Sequence, residues 1–106
     1  MDKKAEHKEA EKIEAERMSV KALKKEFQDI KSIEFNESEY NEITGSYTFI
    51  VKMTNHKNEF VHFMYIYVQG KEKIESSVIE NEEVQIDGVT TNKVHVIYSN
   101  QKKGEV

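Results

Sequence analysis

Just after Ile30 the spacing of apolar residues changes from the period of a helix to the period of a strand, and this change restricts the chain to few architectures. Ile13, Val20, Leu23, Phe27 and Ile30 follow one another at seven, three, four and three residues, which sets them on one stripe of an α-helix. Downstream the alternation is two-residue: Ile33 and Phe35 first, then Tyr47, Phe49, Val51 and Met53 on one face of a strand with Thr48, Ile50 and Lys52 on the other. Polar breaks at Asn41 to Gly45 and at Thr54 to Asn58 are short enough for reversals, and Glu59 to Gln69 follows as the most apolar run of the chain. Gly70 and Lys71 allow a further turn into Ile74, Ser76 and Val78. Asn81 to Asn92 reads as an acidic loop with a short strand at Val84 to Ile86, and Val94, Val96 and Tyr98 as the closing strand. The expected fold class is α+β, with the N-terminal helix packed on a curved antiparallel sheet of four to five strands.

Within Phe60 to Val68 both alternating sets are apolar: Phe60, Met64, Ile66 and Val68 on one side, and Val61, Phe63, Tyr65 and Tyr67 on the other. A single helix covers only one side of a sheet. Burying a large apolar side chain is worth about 1.5–3 kcal/mol, so a second wet face forfeits several such contributions. Either the sheet curls and its own loops cover that face, or a second copy, a peptide or an apolar ligand does. The predicted binding residues are Val61, Phe63, Tyr65 and Tyr67, taken as the exposed face.

The length of 106 residues permits one core. Upstream of Ile13 the chain offers only Met1, Ala5 and Ala10 as apolar residues among alternating Lys and Glu. Residues 1–12 therefore read as a charged tether or frayed helix, and 13–106 as a single helix-on-sheet domain. The formal net charge is −4, with acidic excess at residues 30–43 and between Gly70 and Gly88, and no contiguous basic footprint for a phosphate backbone. No nucleic-acid partner is expected, and the acidic runs read as solvated surface.

Chemistry-bearing patterns are sparse. There is no cysteine, no G-x-S-x-G, and no glycine-rich phosphate loop. His7, His56, His62 and His95 lack the spacing that puts two imidazoles on one metal, although His62 and His95 could meet across strands. No catalytic residue, metal ligand or cofactor is assigned. The enzyme alternative is a pocket between helix and curved sheet, where His62, His95 and Tyr65 are the residues to inspect.

Glu16-Arg17-Met18, Leu23, Phe27, Ile30-Lys31-Ser32-Ile33-Glu34-Phe35, Gly45 before an aromatic strand and Asn55 to Asn58 before another together resemble the uncharacterised small lipoproteins of Gram-positive bacteria, some with a cystatin-like fold. The resemblance covers about residues 16 to 70. It implies a protein held by its N-terminus on the outer face of the cell membrane, through a lipid anchor on a cysteine that this chain lacks, with residues 2–12 as spacer. It carries no activity and no catalytic residues. The expected function is a non-enzymatic binding or interaction module at the cell surface, with a protein or peptide partner, or a second copy, on the aromatic face of the sheet. The alternative is the small enzyme, or a cytoplasmic location.

Overall fold

The computed structural model describes residues 3–68, 70 and 74–106, with side chains described from residue 9 onward. Helix α1 (Lys3–Glu26) precedes six strands, β1 (Ile30–Asn41), β2 (Ser46–Asn55), β3 (Phe60–Val68), β4 (Ile74–Ser77), β5 (His95–Ile97) and β6 (Lys103–Glu105). The strands form one sheet in the order β4-β3-β2-β1-β5-β6. The α+β reading holds, with six strands rather than four to five. All neighbours are antiparallel except β1 and β5, which are parallel.

The helix runs without interruption across residue 12, where the sequence suggested a boundary. Its far end stops earlier than the apolar stripe implied. Phe27 has left the helix and makes a bridge to Asp87, Asp29 takes a left-handed φ of 61°, and Ile30 already belongs to β1. The buried helix face is narrow and built partly of small residues: Ala15, Ser19 and Ala22 beside Val20 and Leu23, with Met18 widening it at the margin. Small side chains bring the helix close to the sheet.

Hairpin β1–β2 turns at residues 42–45, where Gly45 has φ 70° and Asn41 Oδ1 accepts from the Ile43 and Thr44 amides. Hairpin β2–β3 turns on Asn55, whose Oδ1 accepts from the Lys57 and Glu59 amides, with Asn58 left-handed at φ 63°. A bulge in β1 between Phe35 and Glu37 shifts its register against β2. Ile33 and Phe35 face the core before the bulge; after it Ser38 does, while Glu37 and Glu39 turn outward. This is why the sequence alternation faded after Phe35 although the strand continues to Asn41.

The acidic stretch after β4 is more than solvated surface. It is the crossover that carries the chain from the β4 edge to the opposite side of β1, and it caps the helix as it passes. The Gly88 amide donates to the Glu26 carbonyl at 3.1 Å and the Thr90 amide to the Lys24 carbonyl at 2.7 Å, satisfying acceptors that a helix end leaves open. Thr90 Oγ1 donates to the Phe27 carbonyl and accepts from the Ile30 amide, which stitches the helix end to the start of β1. Val84 is buried in the core, but as part of a turn rather than the short strand expected at Val84 to Ile86. A Cβ at Gly88 would stand 2.8 Å from the Cβ of Gln28, so only glycine permits this close passage.

Candidate interaction surface

Burial along β2 and β3 alternates strictly, so each strand has an inner set facing α1 and an outer set facing away. The inner set of β3 is Val61, Phe63, Tyr65 and Tyr67, all buried. This corrects the expectation that these four form the exposed face. Their rings pack with those of the helix end and of β2: Phe63 meets Phe27 edge-on at 5.9 Å between centroids, and Tyr65 meets Phe49 at 5.5 Å. With two apolar faces on one strand, pattern alone could not decide which of them the helix covers. The register of the hairpin settles it, because these four stand opposite Met53, Val51, Phe49 and Tyr47, the buried face of β2.

The exposed face is the other one. Phe60 is 52% exposed and Met64 40%, while Ile50, Ile66 and Val68 are half-buried beside them. Ile50 lies opposite Met64 in register, and the Val78 amide donates to the Met64 carbonyl, so Ile50 on β2, Met64 on β3 and exposed Val78 just past β4 form an apolar row. Acids flank the row on β1, where Glu37 pairs with Ile50 and Glu39 with Thr48. At one end the Lys52 ammonium sits 4.4 Å from the centre of the Phe60 ring.

The buried polar residues have structural work. Glu16, wholly buried in α1, accepts from Ser38 Oγ at 2.8 Å, from the Ser99 amide at 3.0 Å and from Ser99 Oγ at 2.5 Å, tying the helix to β1 and to the turn before β6. Ser19 donates to the Glu16 carbonyl and shares a 2.8 Å hydrogen bond with the Tyr65 hydroxyl. Gln85 Oε1 accepts from the Glu80 and Asn81 amides while its Nε2 donates to the Val78 carbonyl. Among the described residues no buried side-chain polar atom lacks a partner. A buried Glu and Ser on a helix are nearly invisible in a sequence; the one available hint was that Glu16 and Ser19 share a face with Val20 and Leu23.

Burial drives the Tyr65 hydroxyl well above its ordinary value of 10.0, opposed by the Ser19 hydrogen bond and reinforced by nearby Glu16. The folded chain therefore holds this proton to higher pH than the unfolded chain does. Its contribution is fully present below about pH 10 and is lost as pH rises beyond that. Urea midpoints should fall between about pH 9 and about pH 11, with a smaller fall in Tyr65→Phe. Tyr47 and Tyr98, also raised chiefly by burial, act in the same direction. Equal slopes in parent and variant would place the hydroxyl in water.

The residues considered for catalysis are not brought together. Tyr65 is in the core; His62 is on the outer face of β3, and His95 lies on β5, with β2 and β1 between them. At about 4.8 Å per strand that is roughly 14 Å, too far for the expected cross-strand contact. His56 Nδ1 pairs with Asp29 Oδ1 at 2.6 Å, and the His7 side chain lies outside the described residues. Glu105, His95 and Ser32 stand in register on β6, β5 and β1, an order reminiscent of an acid, imidazole and hydroxyl relay. The His95 and Glu105 side chains are 68% and 53% exposed, however, and β1 is paired on both sides there, leaving no free amides to hold an oxyanion.

Two surface grooves stand out, and neither lies between helix and sheet. One, about 370 Å³, runs along the last turns of α1 beside the crossover, with Met18, Ala22 and Val89 in it and Lys21, Lys24 and Lys25 on its rim. The other, about 330 Å³, lies on the outer face over β1, β5 and β6, lined by Ser32, Glu34, Lys52, His95 and Lys103. Among the described residues no group of His, Asp and Glu is arranged to hold a metal ion, and no helix is long and apolar enough to cross a membrane. Against known proteins, the chain matches no family model, no curated protein and no solved structure.

Proposed function

We propose that this chain is a non-enzymatic interaction module that binds a protein partner through the outer face of its sheet. The observation that carries this reading is the apolar row of exposed Met64 and Val78 beside half-buried Ile50, with exposed Phe60 at its end, on the side of the sheet that α1 does not cover. Large apolar side chains grouped on one face are costly to leave in water and are the usual mark of a contact surface. Among the described residues, the engagement of the buried polar side chains in holding the fold together is further support.

The resemblance to small Gram-positive lipoproteins suggests the setting: a cystatin-like domain outside the cell membrane, carried on its N-terminal segment. The charged first turns of α1 suit such a spacer, because they offer solubility without a large apolar side chain to bury.

Both parts of the proposal can be tested in the host cell. A photo-crosslinking residue in place of Met64 should yield a discrete protein adduct, and Phe60→Ser should abolish it while changing folding stability by less than about 1 kcal/mol. An adduct of twice the chain mass would make the partner a second copy. Absence of any discrete adduct from position 64, or an equal adduct from a residue replaced at Lys57 in the β2–β3 turn, would reject the face. Protection of the domain from protease added to intact cells would reject the surface location.

A further inference from the structure

The backbone of β3 shows how a partner would be held. In the β2–β3 hairpin the Asn55 amide donates to the Glu59 carbonyl, and the Thr54–Phe60 and Met53–Val61 registers follow from it. Hydrogen-bonded and non-bonded pairs alternate along an antiparallel ladder, so Val61, Phe63, Tyr65 and Tyr67 direct their amides and carbonyls to β2. Phe60, His62, Met64, Ile66 and Val68 direct theirs the other way. The bond from the Val78 amide to the Met64 carbonyl, on the β4 side, agrees independently with this alternation.

On that side β4 pairs with Tyr65, Ile66 and Tyr67, and Val78 extends the contact to Met64. There the chain turns off, held by Gln85 on the Val78 carbonyl and on the Glu80 and Asn81 amides. Among the described residues no strand pairs with β3 at Phe60 to Phe63 on this edge. Phe60 and His62, both exposed, thus present two outward amide and carbonyl sets at the end of the apolar row. Unpaired edges of this kind are templates for another strand.

We propose, building on the reading of this chain as an interaction module, that an extended segment of the partner protein adds to the sheet along Phe60 to His62, in line with β4. The structure also specifies the chemistry of that segment. Where the chain leaves the edge it exposes Glu80, Glu82, Glu83 and Asp87, and there is no Lys or Arg from Ile74 to Asn92. The added strand therefore carries Lys or Arg toward this turn and apolar residues toward Met64 and Phe60. A second copy fits the slot poorly. Symmetric pairing centred on Val61, the register that uses only Phe60 and His62, would bring each copy's Glu59 rather than a Lys or Arg toward the other's acidic turn.

The test uses a blocked, alternating lysine and valine hexapeptide and the intact chain. Amide exchange at Phe60 and His62 should slow about tenfold at a peptide concentration about nine times Kd, with Val61 and Phe63, already bonded to β2, little changed. A peptide N-methylated on alternate residues should lose this effect, and so should His62→Pro, which removes an outward amide without touching the β2 ladder. The glutamate and valine counterpart should bind weakly. If the N-methylated peptide binds as well as the parent peptide, edge addition is overturned; if Met64→Ser then still weakens it, the outer face stands as the contact surface by another mode. Peptide effects confined to the lysine-rimmed groove on α1 would overturn both.

Discussion

Tyr65→Ser should lower folding stability by about 3–5 kcal/mol, the range for deleting a large buried ring. Tyr65 is 0% exposed, packs against Phe49 and Phe63, and bonds to Ser19 of the helix. Serine would leave a cavity between the two layers, and its own hydroxyl is too short to reach the Tyr65 partner. In a domain of this size, 1 kcal/mol corresponds to about 4–8 °C in Tm, so the variant should melt many degrees lower or fail to fold. Met64→Ser, one residue earlier but on the outer face, should cost about 1 kcal/mol or less. The contrast is diagnostic. Comparable losses at the two positions would mean that something folds over the outer face as well, and the exposed row would vanish as a contact surface.

That pair of residues also marks what the sequence makes legible. The change of period after Ile30, the alternation from Tyr47 to Met53 and the polar breaks are local signals, and local signals were enough for the helix, the hairpins and the antiparallel core of the sheet. Which face of β3 lies inside is a tertiary question, because either face of Phe60 to Val68 satisfies the pattern. It is fixed by the register of the β2–β3 hairpin, which sets Val61, Phe63, Tyr65 and Tyr67 opposite Met53, Val51, Phe49 and Tyr47, the apolar face of β2. The parallel pairing of β5 with β1 is likewise invisible locally, since nothing in His95 to Ile97 names a partner strand. β6 was missed for a related reason: Lys103, Gly104 and Glu105 show no alternation, and they pair because the turn at Tyr98 to Gln101 returns them to β5. Acidic composition made the crossover look like solvated surface. Its anchoring depends on backbone amides and on Thr90 and Gln85, residue types that composition reads as loop.

Glu16→Leu should destabilise by about 2–5 kcal/mol even though it replaces a buried polar side chain with an apolar one. Burying a carboxyl group is expensive, and exchanging buried polar groups for well-packed apolar ones can be neutral when every partner is exchanged with them. Here the partners would remain. The Ser99 amide has a fixed direction and would lose its acceptor, and the Ser38 and Ser99 hydroxyls would each have to find another. An unmet buried group costs about 1–3 kcal/mol, which outweighs what leucine gains in so tight a site. Glu16→Gln separates charge from hydrogen bonding. Its carbonyl can still accept from the Ser99 amide while the serine hydroxyls rotate to accept from its amide group, so the cost should stay near 1 kcal/mol. Denaturant unfolding of the two variants is the measurement, with amide exchange at Ser99 as the local readout. A leucine variant as stable as the parent, with Ser99 still protected, would show that helix and sheet are held by the apolar contacts of Val20, Leu23 and Tyr65 alone, and that the Glu16 carboxyl must be kept for some other purpose.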